Sequence, residues 1–527
     1  MTQLPSPRSR AIWVFLLFQA LYGLTSSGNV FRVPDEFETY FQTEHLVDAG
    51  NLSVPQTLAI KQRKIRDGRV IGQEAVFFGT FGWDGKPYAP YGPLIAILAV
   101  PHHLAGRAIA GLAGVPRIPL PGGIAWLMVV GGVTMVASAT AAALAVAGFY
   151  RAARSLGASD REALALSLLL GGATVLWNYG TSFFSEAFTA AAFIWAAVFL
   201  IEATDARLEA AAKRAVAVAS ILIFLAGLTK ITALVFAPAF VIAALAEPRV
   251  SAPARVKTAA ALTAAIVMAV AVHAAWNVTR FGDPFNIGYD WSETIPQLPA
   301  RAFLLSDIPR GLAVLLASPG KSLVLWAPPL VLAAFGLPAF WRLHRGAAAG
   351  VITAAVVGLL VFAAYLFPDG GYSHGPRNLV PIVPLALLPG VEACATTRRR
   401  GLAVACGIAG LAIALTATSV SYLDDQNIGA DLGRGARANY YERIEPAPGR
   451  PFNRYRLGYI PFAATFGDSG WWNAPVVGQG PDYFPLHLAQ ARRQLLDGHA
   501  IPLWLIGLIP AVWISLLCVS ARALYRG

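Results

Sequence analysis

An all-α polytopic membrane protein, a bundle of about 12 transmembrane helices, is the fold class this sequence predicts. Three observations carry it. Of 527 residues, 56% are hydrophobic and only 13% are charged, where an ordinary soluble domain carries about 25% charged residues. Apolar runs of about 20 residues, enough to cross a bilayer core as a helix, recur from one end of the chain to the other. The net charge of +12 is gathered into short basic clusters between those runs.

The expected spans are 11–31, 122–150, 162–179, 185–203, 213–229, 231–247, 257–277, 322–341, 349–367, 379–393, 400–422 and 501–521. Started inside, this series puts Arg8 and Arg10, Arg151 and Arg154, Lys213 and Arg214, Arg255 and Lys257, Arg342 and Arg345, Arg398 to Arg400, and Arg522 with Arg526 on the cytoplasmic side. That is the positive-inside pattern, so the positive charge orients helices and implies no nucleic-acid partner. Both termini are then cytoplasmic. The apolar start also resembles a signal peptide, but it runs on through Val30 and Phe31 with no small-residue cleavage site, so an anchor is expected. Cys394, just past the end of one span, and Cys406 and Cys518, within others, show no metal-ligand or disulfide spacing and read as packing residues.

The stretch 91–110 is the exception. Taken as a full span it would throw 151–161 outside, and it contains Pro93, Pro101 and two histidines. An interfacial or re-entrant helix is expected instead. Residues 1–422 then form a transmembrane module with a first outer loop at 32–121 and another at 278–321. An outer-face segment follows at 423–500, and 501–527 holds the last span and the cytoplasmic end. Large outer loops against short basic inner ones place the chemistry outside.

Four outer stretches carry candidate residues. Asp35 and Glu36 in "VPDEFETY" leave the first span and enter an amphipathic run. Two acids there suit a general base or a metal ligand, beside the plainer role of an acidic helix start. Glu186 in "SFFSEAF" enters a span among phenylalanines, where an acid is costly unless paired or used. Lys230 in "GLTKITAL" sits in a tight outer turn, placed to meet a phosphate or to snorkel. "PDGGYSHGPRN" offers Asp369, Tyr372, His374 and Arg377 among glycines and prolines. Tyr88, Tyr91 and Lys86 in "WDGKPYAPYGP", Arg107, and Lys321 in "SPGKS" are weaker candidates. The last lacks the full phosphate-loop pattern. His102, His103 and His273 form no metal-ligand arrangement and read as packed or interfacial.

In this order the stretches resemble the GT-C superfamily of membrane glycosyltransferases, which includes protein O-mannosyltransferases and lipid A aminoarabinose transferases. "PDEFETYFQTEHLVDAG" is similar to the opening of that family's first outer loop, Glu186 to its second acid, and "LAGLTK" to its lysine turn. "FGDPFNIGY", "SPGKSLVLWAPPLVLA" and "GGYSHGPRNLVPIVP" look like blocks of bacterial members. The resemblance covers about 11–390. One departure is "YAPYGPL", where Pro90 replaces a lysine common in relatives.

The resemblance implies a GT-C-like bundle with juxtamembrane helices in the first outer loop, in a bacterial inner membrane. It implies transfer of a sugar from a polyprenyl-phosphate carrier to a glycan, lipid or protein acceptor, by a hexosyl- or pentosyltransferase. Asp35 would be the general base, and Glu36 and Glu186 would orient the acceptor. Lys230, Arg377, Lys86 and Lys321 would hold the donor phosphate, and Tyr88, Tyr91, Arg107, Tyr372 and His374 the substrate. Asp35 with Glu186 would be the ligands of any divalent cation, magnesium or manganese. A lipid-linked glycan flippase, an O-antigen-type ligase and a non-catalytic assembly protein are the rival readings.

Overall fold

The computed structural model describes residues 7–26, 34–59, 61–66, 69–75, 79–118, 124–205, 208–289, 302–318, 320–365, 367, 368, 370, 371, 373–393, 397–419 and 503–526. The outer-face segment expected at 423–500 lies outside them, as do Asp369 and Tyr372.

Among the described residues seven helices are long and apolar enough to cross a membrane by length and composition: Leu94–Leu112, Leu127–Ser155, Glu186–Asp205, Glu209–Thr229, Ala252–Phe281, Arg345–Ala364 and Gly507–Tyr525. Ser9–Thr25, Ile231–Leu245 and Leu330–Leu343 are shorter apolar helices. Helix Leu127–Ser155 lies at the centre, packed by Pro7–Thr25, Leu94–Leu112, Asp160–Gly172 and Glu186–Asp205. Its buried face is mostly alanine, from Ala137 through Ala147. Between membrane helices, where lipid removes the hydrophobic drive, small residues gain stability by letting backbones approach closely.

Three expected spans are broken, each for a local reason. Residues 162–179 divide into Asp160–Gly172 and Leu176–Gly180 across the Gly171-Gly172 pair. Residues 322–341 divide at Pro328 and Pro329 into Leu323–Trp326 and Leu330–Leu343. Residues 379–393 are a chain of short turns, Arg377–Ile382, Val383–Leu387 and Leu388–Glu392, with a proline in each. Proline lacks the N–H that an α-helix needs and clashes with the preceding turn.

The first loop also differs from expectation. The stretch 91–110, expected as an interfacial or re-entrant helix, is helical from Leu94 and runs unbroken to Leu112 despite Pro101. The loop holds the expected helix, Pro34–Ala49, but also two hairpins, Lys61–Arg66 with Arg69–Ala75 and Thr80–Phe81 with Pro87–Tyr88.

Ion pairs sort the helix ends. Arg10 pairs with Asp160, Arg151 with Glu202, and Arg249 with Asp205 at 3.2 Å and Glu247 at 2.8 Å. All belong to the end of the bundle where the helices of Pro7–Thr25 and Ala252–Phe281 begin and Glu186–Asp205 finishes. The other end carries a different set of charges.

Candidate functional site

At that second end, four chain segments deliver one charge each. Asp35 lies in the first turn of Pro34–Ala49 and Glu186 opens Glu186–Asp205. Acids are favourable there because a helix N-terminus carries partial positive charge. Lys230 caps the C-terminus of Glu209–Thr229, where a cation is favoured for the opposite reason. Arg377 follows the glycine-rich turn after Arg345–Ala364.

Arg377 joins them. Its Nη2 donates to Asp35 Oδ1 at 2.7 Å and its Nε to Glu186 Oε1 at 2.9 Å. Lys230 Nζ donates to the same Glu186 oxygen at 3.3 Å. The guanidinium carbon stands 4.0 Å from the centre of the Phe184 ring, a cation–π contact. Burial works against the Arg377 charge, yet the Asp35 and Glu186 carboxylates raise its pKa well above the ordinary value. At Lys230 burial prevails over the pull of Glu186, and the pKa is lowered.

The arrangement leaves chosen atoms uncommitted. Asp35 has 17% of its side chain exposed, and among the described residues its Oδ2 accepts no hydrogen bond. Glu186 is only 3% exposed, and among the described residues its Oε2 is buried without a partner. Asn378 Nδ2, equally unpartnered, lines the same small cavity beside Glu186.

Local packing fixes this geometry. Thr189 and Thr229 share a 2.7 Å hydroxyl bond, locking two helices at the level of Glu186 and Lys230. Gly92 lets the Tyr91-Gly92-Pro93 turn press onto the end of Glu209–Thr229, since a Cβ there would lie 2.2 Å from the Leu228 carbonyl oxygen. Gly370, at φ +72°, lets its turn fold against Arg377, whose Cβ would be 2.6 Å from an added methyl. Lys321 holds that turn by donating to the carbonyls of Gly371 at 3.1 Å and Ser373 at 2.6 Å. His374 stacks on Trp326, and its carbonyl accepts from Tyr179 at 3.0 Å.

Glu36 points elsewhere. Fully buried, its carboxylate accepts the Phe183 N–H at 3.0 Å, tying the first outer loop to the turn before Glu186. Glu36→Ala is expected to cost about 1–3 kcal/mol, the price of a buried donor left unmade, measurable as a lowered unfolding midpoint in detergent.

Other candidates are not brought to the cluster. Lys86, 54% exposed, pairs with Asp84 at 3.4 Å. Tyr88 donates to Asp84 at 2.9 Å, and burial together with that carboxylate pushes its pKa up to about 12. Arg107 binds Asp48 at 2.7 Å, and Arg117 takes the same carboxylate. Asp48 stands about 20 Å along its helix from Asp35 at 1.5 Å per residue. Tyr91 is buried, and burial together with the Asp35 and Glu38 carboxylates raises its pKa well above the ordinary value. Tyr289, which sequence reasoning passed over inside "FGDPFNIGY", shows the same direction, burial and the Asp35 carboxylate raising its pKa.

The donor set does not fit a divalent cation. Asp35 and Glu186 are joined through a shared guanidinium, and among the described residues no three His, Cys, Asp or Glu side chains converge.

No protein-family model and no curated protein matches the chain. Among solved structures, it is similar to ArnT from Cupriavidus metallidurans in the apo state, at 14% identity and TM-score 0.46, over 98% of this chain and 75% of that one. For ArnT bound to undecaprenyl phosphate the values are 16%, 0.45, 97% and 76%. For the Archaeoglobus fulgidus oligosaccharyltransferase in complex with Zn and sulfate they are 13%, 0.47, 82% and 57%, so the chain spans little more than half of that protein.

Proposed function

We propose that this chain is a glycosyltransferase that moves a sugar from a polyprenyl-phosphate carrier to a cell-envelope glycan, lipid or protein acceptor. The site lies at the outer face of a bacterial inner membrane, with both termini cytoplasmic. One observation carries the proposal: two carboxylates and two cations from four distant segments meet at one end of the bundle, with one carboxylate oxygen left uncommitted and reachable.

The chemistry follows from those atoms. A lipid-linked sugar keeps its chain in the membrane and brings its phosphate to the helix ends. Arg377 and Lys230 supply positive charge where the leaving phosphate gains negative charge. Arg377 holds Asp35 by Oδ1, and Oδ2 takes the proton of the acceptor hydroxyl as that oxygen attacks the anomeric carbon. Glu186 keeps the two cations together. Lys321 shapes the turn that presents Arg377 rather than meeting the phosphate. No step runs through a metal.

The test is release of free polyprenyl phosphate by the purified chain in lipid nanodiscs, offered a panel of lipid-linked sugars with acceptors. Acceptor-dependent release from at least one donor is expected. In proteoliposomes, movement of the lipid-linked sugar across the bilayer without release would establish the flippase reading instead.

A further inference from the structure

The end of the bundle away from the Asp35–Arg377 cluster holds a cavity of about 160 Å³. Five helices present alanine to it: Ala197 on Glu186–Asp205, Ala212 on Glu209–Thr229, Ala244 on Ile231–Leu245, Ala254 on Ala252–Phe281 and Ala347 on Arg345–Ala364. Alanine is too short to fill the space where five helices meet. Ala197 lies eight residues, about 12 Å, before the end of its helix at Asp205, so the cavity runs from the helix ends into the apolar depth of the bundle. Glu186 is a further 16 Å away, at about 1.5 Å per residue.

Three charged side chains also line the cavity, Glu247, Arg249 and Arg255. Two of them are committed. Glu247, 7% exposed, accepts from Arg249 Nε at 2.8 Å and Nη2 at 3.3 Å, and Arg249 Nη1 donates to Asp205 at 3.2 Å. Arg255 differs. It is half-buried in the first turn of Ala252–Phe281. Nη1 donates to the Leu245 carbonyl at 3.0 Å, which leaves most of the guanidinium donors over. Among the described residues no carboxylate pairs with it. Its helix opens at Ser251 without a side-chain cap bond and has no acid in the first turn. An anion matches both the guanidinium and that helix start.

The walls select the rest of the ligand. An apolar cavity of about 150 Å³ stays dry and takes up hydrocarbon. Glu209–Thr229 and Ala252–Phe281, which wall this one, are mostly uncovered by the rest of the chain, so lipid surrounds them. A chain entering from lipid gives empty walls the contacts they lack. We propose that the cavity holds an acyl chain of a phospholipid from the leaflet at this end, with its anionic headgroup on Arg255. Basic pockets between membrane helices hold such headgroups. Arg214 and Lys257, exposed near the same helix ends, favour phosphatidylglycerol over a zwitterionic lipid, and Asp205 and Glu247 are already taken by Arg249. The carrier of the transferase reading brings its phosphate to the opposite end, so this lipid is a second one.

The purified, delipidated chain is titrated in detergent with phosphatidylglycerol and with phosphatidylcholine, and bound lipid is read by native mass spectrometry. A phosphatidylglycerol with a photoactivatable acyl chain locates the site. Phosphatidylglycerol is expected to bind about tenfold tighter, the worth of one charge-assisted hydrogen bond, with crosslinks on 212–216 and 346–351. Arg255→Gln is expected to erase that preference. Ala212→Phe, which fills the cavity, is expected to abolish the crosslinks at an undiminished unfolding midpoint. Equal binding of the two lipids, or a preference untouched by Arg255→Gln, overturns the headgroup assignment. Crosslinks elsewhere in the unaltered chain, or crosslinks that survive Ala212→Phe, overturn the cavity. Displacement of the phosphatidylglycerol by undecaprenyl phosphate but not by the shorter farnesyl phosphate would make the cavity a berth for the carrier's tail, and the proposal would fall. Binding needs no turnover, so absence of sugar transfer overturns the transferase reading alone.

Discussion

Asp35→Asn is expected to lower the rate of sugar transfer by about 10²–10⁴-fold, the usual contribution of a positioned general base, while the protein keeps its fold. Asparagine preserves the shape and leaves an oxygen for the Arg377 Nη2 that now meets Asp35 at 2.7 Å. What changes is the second atom. Where Oδ2 would take a proton, Nδ2 offers one. A loss confined to the transition state lowers kcat and leaves donor KM nearly unchanged. The stability cost is small because Asp35 is at the rim of the cluster, 17% exposed, and Arg377 keeps its bond to Glu186. Single-turnover transfer and an unfolding curve on the same preparation check both halves. Undiminished transfer by the folded variant would remove Asp35 as the base.

Much of this site was legible because membranes make charge conspicuous. An acid or a lysine at the end of an apolar run costs free energy, so Asp35, Glu186, Lys230 and Arg377 stand out without any structure. Their pairing does not. Asp35 and Arg377 are 342 residues apart, and no local pattern says that one guanidinium would serve both acids. The Pro34–Ala49 helix shows the opposite failure. Its mixed composition reads as an amphipathic segment with a wet polar face, but neighbouring elements cover that face, and burial by tertiary packing leaves no trace in periodicity. The breaks at the 328–329 and 381–389 prolines were readable in principle; hydropathy alone hid them. The hairpin of Lys61–Arg66 and Arg69–Ala75 had a signal too, the Asp67-Gly68 pair between its strands, a dipeptide favoured in tight hairpins. Lys86 and Lys321 read from the sequence as donor-phosphate contacts and Arg107 as a substrate contact. Each has a carboxylate or carbonyls of its own, which sequence spacing does not reveal.

Arg377→Leu is expected to be the most damaging single change in the cluster, to stability as well as to transfer. It removes both bonds of the bridge and leaves Glu186, 3% exposed, with Lys230 alone at 3.3 Å. Breaking a buried charge network by deleting one partner costs about 3–5 kcal/mol, because the remaining charge stays desolvated. Asp35 bears less of that cost, since water reaches it. Arg377→Lys separates charge from geometry. One ammonium cannot reproduce a fork whose Nε and Nη2 meet two different acids at 2.9 and 2.7 Å. It should express better than the leucine variant yet transfer poorly. The decisive variant is the pair Arg377→Leu with Glu186→Gln. Neutralising the buried acid lifts the uncompensated charge, so the pair should unfold at a higher temperature than Arg377→Leu alone. Transfer should stay abolished, because the cation meant for the leaving phosphate is still missing. Equal midpoints for the single and double variants would show that the bridge between the two acids is not what holds these helix ends together.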